Sequence, residues 1–181
     1  MTTDLDELRA QLWGSFLLFT RIFYPIVNGR DFVISQPRGR ESHFITIARE
    51  LTACARLQEM SLIINVPPGS GKSTLLSYWT AWNLSKSPDS QFLYISYGHE
   101  LASKHTEMIK RIMSTSHYKE VFDVHIRHDS KAKDHFRTTM GGSVKAFGSS
   151  GGIVGHDAGL PNLDRFSGAV ILDDLHKIDE A

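Results

Sequence analysis

The clearest chemistry in the sequence lies in Pro67-Pro68-Gly69-Ser70-Gly71-Lys72-Ser73-Thr74. An apolar run, Leu62-Ile63-Ile64-Asn65-Val66, comes before it, and a helix from Lys72 to about Leu84 is expected after it. Strand, glycine turn, Lys-Ser and helix is the arrangement that cradles phosphate groups with backbone N–H donors. Gly69 and Gly71 let the backbone approach an anion without a Cβ in the way. The start of the helix adds donors and the positive end of its dipole. Gly69, Ser70, Gly71, Lys72, Ser73 and Thr74 are therefore the candidate nucleotide-binding residues. Lys72 would bridge the terminal phosphates of ATP, and the Ser73 hydroxyl would ligate Mg²⁺. One position departs from the full pattern: Val66 stands where its first glycine would be. Pro67 and Pro68 have no N–H to donate, so phosphate contacts must begin at Gly69.

A phosphate loop needs an acidic partner at the end of a neighbouring strand. Ala169-Val170-Ile171-Leu172-Asp173-Asp174 supplies one. Asp173 would hold Mg²⁺, and Asp174 would orient and polarise the attacking water, which makes Lys72 and Asp174 the candidate catalytic pair. Adjacent side chains on a regular strand point to opposite faces. Both acids can reach one site only if the strand ends at them. A bland reading is an N-cap for a helix starting near Leu175. Aspartate at the second position is one methylene shorter than the usual glutamate, so its role as base is less secure than its neighbour's as metal partner.

These residues need elements to hold them. A helix over Asp4–Phe23 follows from Leu5, Leu8, Leu12, Phe16 and Phe19 at helical spacing, closed by Tyr24-Pro25 and Asn28-Gly29. Asp31–Glu41 reads as a loop or short edge strand. A second helix opens at Ser42 and runs to about Leu57, burying Phe44, Ala48, Leu51 and Ala55. Leu62–Val66 reads as a buried strand, Gln91–Ser96 as a second, and Glu100–Met113 as a helix. Val121–Arg127 is a possible short strand, and Phe136–Ala146 a hairpin turning at Gly141-Gly142. Buried strands alternating with helices predict an α/β fold with a mostly parallel sheet flanked by helices. An open sheet of this kind normally continues past the acidic strand, so the sheet is expected to be incomplete at its C-terminal end.

Composition sets the outer bounds. In 181 residues, 20 Lys and Arg balance 20 Asp and Glu, and 41% are apolar. With 14 Gly included, this is an ordinary globular makeup, excluding a disordered or collagen-like chain. Zero formal charge excludes a tail that binds nucleic acid through net charge, so any DNA-facing patch must be local. The single Cys54 excludes an internal disulfide framework and a cysteine zinc cluster. Leu12–Val27 is broken by Gly14, Ser15, Thr20, Arg21 and Pro25 and is too short to span a membrane. Asp4, Asp6 and Glu7 stand where a signal peptide would be basic. The expected location is cytoplasmic.

Four blocks, SLIINVPPGSGKST, FLYISYGHELASKHTEMIKRIM, GGSVKAFGSSGGIVG and GAVILDDLHK, give the chain a likeness to a known family. Over roughly Ser42–Ala181 it resembles the ATPase half of the large terminase subunit, the DNA-packaging motor of tailed phages. The resemblance implies a P-loop NTPase fold of the additional-strand type over residues 42–181, preceded by a helical or linker segment over 1–41. It implies Mg²⁺-dependent ATP hydrolysis that drives double-stranded DNA into a capsid. It further implies a homo-oligomeric ring, with the small terminase subunit and the portal protein as partners. Gly69, Gly71, Lys72 and Ser73 fall on the family's phosphate loop, and Asp173 and Asp174 on its acidic pair. Many relatives carry Arg where this chain has Gly69. His156–Ser167 is longer than the usual link to the acidic strand. The family's coupling motif and RNase H-like nuclease would lie beyond Ala181, so no DNA cutting is expected of this polypeptide.

Other residues carry weaker signals. Arg38, Arg40, Lys131, Lys133 and Lys145 could meet DNA phosphates, but solvated surface is the simpler reading of each. Arg38, Arg40 and Arg49 could supply transition-state charge, and the sequence does not choose between them. His125, His128 and His135 read as strand or surface histidines before zinc ligands, and Trp79 and Trp82 as core. Two alternatives stand beside the motor: another P-loop translocase of helicase type, and a truncated prophage remnant without catalysis.

Overall fold

The structure, a computed structural model, describes residues 2–34, 39–130, 132–153 and 155–175. Arg38, Lys131 and most of the segment after Asp174 lie outside the described residues. The N-terminal apolar stretch forms two helices rather than one, α1 (Thr2–Gly14) and α2 (Phe16–Asn28). Ser15 breaks it by capping α2, its hydroxyl accepting the Leu18 N–H. The second helix runs through Pro25 and stops where Gly29 takes a left-handed conformation. Helix α3 (His43–Ala55) is capped by Ser42 and buries Ile47, Ala48, Leu51 and Ala55. Helix α4 (Lys72–Lys86) follows the glycine loop and is buried over most of its length. Helices α5 (His99–Ser114) and α6 (Ser116–Phe122) come after the first strand. The possible strand at Val121–Arg127 is instead the end of α6 plus an isolated bridge from Ile126 to Thr138.

The four strands are β1 (Gln91–Ser96), β2 (His135–Arg137), β3 (Ser143–Gly148) and β4 (Val170–Asp173). They form one sheet in the order β2-β3-β1-β4. Strand β1 is parallel to both β3 and β4, whereas β2 returns antiparallel to β3 through the Gly141-Gly142 turn. The sheet is thus small and mixed, flanked by helices, and not mostly parallel. A short hairpin strand on one edge costs only a local turn, whereas a parallel strand there would need a long crossover.

Leu62–Val66, expected as a buried strand, is extended but belongs to no strand. Leu62, Ile64 and Val66 pack against the core while Ile63 is 93% exposed. A mostly apolar run, broken only at Asn65, suggests a buried strand, but a strand also needs a ladder partner. Here one side is covered and no ladder forms.

One core joins all of this. Leu12, Phe16, Phe19 and Phe23 of α1 and α2 pack in the same cluster as Trp82, Tyr118 and Phe122. Trp79 and Trp82 are core residues whose indole N–H groups donate to the carbonyls of Leu51 and Leu12, both at 2.8 Å. Strands β1, β3 and β4 end together: Ser96 lies beside Gly148 on one side and Asp173 on the other. The open end of a parallel sheet is where such folds receive ligands. Gly168 brings β4 in against β1, where a Cβ would lie 1.8 Å from the Gln91 carbonyl oxygen. Among the described residues no helix is long and apolar enough to cross a membrane.

Candidate functional site

The loop between Val66 and α4 turns back on itself, with the Ser70 N–H bonded to the Pro67 carbonyl at 3.3 Å. Gly69 and Gly71 both take left-handed backbone angles, φ +77° and +83°. At Gly71 the need is double, because a Cβ would stand 2.9 Å from the Phe44 ring. Gly71 is also the N-cap of α4, so no side chain occupies the first N–H groups of that helix. Helix α3 braces the loop from below. His43 Nε2 lies 2.9 Å from the Ser70 carbonyl oxygen, and the Phe44 ring underlies Gly71. The cleft above the loop, about 320 Å³, is lined by Val66 to Thr74 and by Asp174. Lys72 is the one cation among the described residues lining it.

The acidic pair arrives from the opposite wall. Asp174 has φ +48°, and its carbonyl accepts the Tyr97 N–H at 2.9 Å. That left-handed turn breaks the alternation of β4, so two successive carboxylates face the loop. Lys72 Nζ lies 2.9 Å from Asp173 Oδ1 and 3.0 Å from Asp174 Oδ1. The two acids differ sharply in setting: the Asp173 side chain is 3% exposed and that of Asp174 is 61% exposed. The glycine loop, Lys72 and Asp174 therefore share one cleft, with the buried Asp173 carboxylate against the lysine behind it.

Charge settles unevenly across this cluster. Burial alone would raise the Asp173 carboxyl, but the Ser73 hydroxyl and the Lys72 ammonium outweigh it and hold its pKa below the ordinary value. Partial burial works to lower Lys72, and the two acids overcome it, leaving the lysine raised. Both groups are thus charged near neutrality. Asp173 Oδ1 is buried with no aligned hydrogen bond, although the lysine amine faces it, and the Ser70 hydroxyl is likewise buried without a partner. Polar atoms left so in a cleft are poised to receive a ligand.

Mg²⁺ fits this donor set. No group of three or more His, Cys, Asp or Glu side chains gathers among the described residues. Mg²⁺ does not need such a cage, because it binds one or two protein oxygens and completes its shell with water and substrate phosphate. Ser73 and Asp173 are the oxygens on offer, and the hydroxyl is near enough to help hold the carboxyl below its ordinary pKa.

Several side chains at the site carry no signal in the sequence: His43 and Phe44 under the loop, and Tyr94, His105 and Ser77 behind Asp173. The Tyr94 hydroxyl donates to Asp173 Oδ2 at 3.1 Å. His105, neutral because burial lowers it against the pull of the two acids, stacks on Tyr94. The other flagged cations are elsewhere or engaged. Arg49 reaches Glu50 at 3.2 Å and Glu41 at 3.4 Å, and Lys133 reaches Glu107 at 3.3 Å. His125 pairs with Asp123 at 3.0 Å. A larger cavity, about 840 Å³, opens between the end of α2 and α5 near Lys110 and Arg111. The four cations among its described lining residues are engaged: Lys110 with the carbonyls of Ser130 and Ala132, Arg111 with that of Val27, Lys104 with Glu100 and Lys133 with Glu107. Searches against family models, characterised proteins and solved structures found no match to this chain.

Proposed function

We propose that the chain is a P-loop ATPase domain whose cleft binds Mg-ATP and hydrolyses it, and that it serves as the motor part of a terminase large subunit. The observation that carries the ATPase reading is the placement of Lys72 Nζ within 3.0 Å of both Asp173 and Asp174 at the mouth of a glycine loop. In the nucleotide-free protein the lysine neutralises the acids. With ATP bound, the lysine turns to the terminal phosphates, while Gly69 to Thr74 donate their N–H groups to the phosphate oxygens. Ser73 and Asp173 would hold Mg²⁺, which supplies further charge neutralisation when bound. Asp174, at the solvent-facing lip, accepts the proton of the attacking water as the bond from the γ-phosphorus to the ADP oxygen breaks.

The role in packaging double-stranded DNA rests on the four sequence blocks that resemble the terminase family. So do the ring, the small-subunit and portal partners, and the setting in a host cytoplasm. A second reading, nucleotide binding without turnover, is favoured by Lys72 being the one cation among the described residues that line the cleft. Phosphoryl transfer spreads negative charge that one lysine and one divalent ion neutralise only in part.

Thermal melting with and without Mg-ATP tests the site, and a phosphate-release assay tests turnover. Binding at a hundredfold excess over Kd adds about 2.7 kcal/mol, and each kcal/mol moves the midpoint by about 2–4 °C at this size. No shift at saturating nucleotide would end both readings. A shift without turnover would select the second.

A further inference from the structure

We infer that Tyr94 and His105 are positioning residues for Asp173, fixing one carboxylate oxygen so that the other stays presented to the cation site. This rests on the Mg-nucleotide reading above. The Asp173 carboxylate is used asymmetrically. Oδ1 faces Lys72, while Oδ2 is turned into the protein, where the fully buried Tyr94 hydroxyl donates to it at 3.1 Å. The His105 ring stacks on Tyr94 at 4.6 Å between centroids and 17° between planes, with Nε2 3.7 Å from the same Oδ2.

The far side of the imidazole is also held. Its Nδ1 lies 3.3 Å from Ser77 Oγ, and the Ser77 hydroxyl lies 3.1 Å from the Ser73 carbonyl. A serine hydroxyl has one proton to give. For the neutral ring to turn a hydrogen toward Oδ2, that hydrogen must sit on Nε2, so that Nδ1 accepts and Ser77 gives its proton to the ring. The contacts thus run from Ser73 through Ser77, His105 and Tyr94 to Asp173, behind the cleft. The two residues that offer oxygens to the cation are tied together by a path that never enters the site. Partners that orient a ligating carboxylate contribute to metal affinity without touching the metal.

Titration of a fluorescent N-methylanthraniloyl ATP, in EDTA and over a Mg²⁺ series, tests this in wild type, Tyr94→Phe and His105→Phe. Both substitutions keep an aromatic ring, and thermal melting of each variant checks that it is folded. Each should need roughly tenfold more Mg²⁺ to reach half of the metal-dependent tightening, with nucleotide affinity in EDTA unchanged. An unaltered Mg²⁺ midpoint in both variants would overturn the inference. Equal weakening with and without Mg²⁺ would also overturn it, because that is a packing defect. A wild-type protein that binds no nucleotide, or binds it without regard to Mg²⁺, would fail the underlying reading first and this inference with it.

Discussion

Lys72 Nζ lies 2.9 Å from the buried Asp173 Oδ1, so the residue expected to hold phosphates serves, without nucleotide, as the counter-ion of a desolvated acid. The same contact therefore bears on stability and on chemistry. Lys72→Ala should abolish ATP turnover and the Mg-ATP melting shift. It should also lower the stability of the free protein by about 1–3 kcal/mol, the cost of a buried group left without its partner. Phosphate release and urea unfolding check the two parts. Wild-type hydrolysis by this variant would remove the basis of the ATPase proposal.

The acid side of that contact sets a pH dependence. The folded Asp173 pKa is depressed, so unfolded chains bind the proton more readily. The resulting stability is present above the ordinary aspartate pKa and is lost as pH falls through the folded value. Lys72→Ala removes part of the cause. Its stability should therefore fall less steeply on acidification than that of wild type, as measured by urea midpoints from neutral to acid pH.

Asp173 and Asp174 should separate on substitution. Asp174 is the exposed member, so Asp174→Asn should leave the fold and nucleotide binding nearly intact while removing turnover. Asp173→Asn should weaken the Mg²⁺-dependent part of binding and also destabilise the free protein, since it alters a buried ion pair. Isothermal titration with Mg-ATP, alongside phosphate release, distinguishes them. Normal hydrolysis by Asp174→Asn would show that it is not the base.

The two loop glycines make a graded test. Gly69 has a positive φ with open space where a Cβ would go, whereas Gly71 has a positive φ and the Phe44 ring 2.9 Å from that point. Gly69→Ala should show the backbone penalty alone, about 1–2 kcal/mol. Gly71→Ala should lose more, and Phe44→Leu should restore only the steric share of its loss. Melting of the three single variants and the Gly71→Ala/Phe44→Leu double variant checks the order. Equal losses at the two glycines would mean that the ring does not brace the loop.

Local chemistry made much of this legible. Gly71, the Lys-Ser pair and the twin aspartates are read from residue type and spacing, and Gln91–Ser96 from its apolar run between turn residues. Ser15 was harder, because a capping serine inside an apolar helical stretch looks like an interruption until its hydroxyl meets Leu18 N–H. Leu62–Val66 misled for a different reason. Hydrophobicity reports burial, but ladder pairing depends on a neighbour that the segment does not encode. Tyr94 and His105 are invisible as a pair because they sit on β1 and α5 and meet only when the helix packs on the sheet, while the register that sets Ser96 beside Asp173 brings the acid to them. The antiparallel edge was implicit in Gly141-Gly142, whose hairpin already conflicted with a mostly parallel sheet.

Away from the cleft, Lys86 offers a second pH test, in the alkaline range and with a slope of the same sign. Burial, helped by the nearby Arg56 charge, lowers its folded pKa to about 8, while its ammonium sits 3.7 Å over the Trp82 ring centroid. The ring face favours the cation and so opposes this shift without cancelling it. Because the folded value is below that of a free lysine, the unfolded chain holds more protons between the two. Stability should then rise as pH increases from about 8 towards the free-lysine value of about 10.4. The buried tyrosines, whose raised pKa values oppose ionisation in the fold, impose the reverse trend once free tyrosine begins to ionise near pH ~10. Lys86→Met keeps the unbranched chain over Trp82 and removes the titrating group. Its urea midpoint should change less than that of wild type between neutral pH and the onset of tyrosine ionisation. Parallel curves for the two proteins would place the Lys86 ammonium in solvent rather than against the indole.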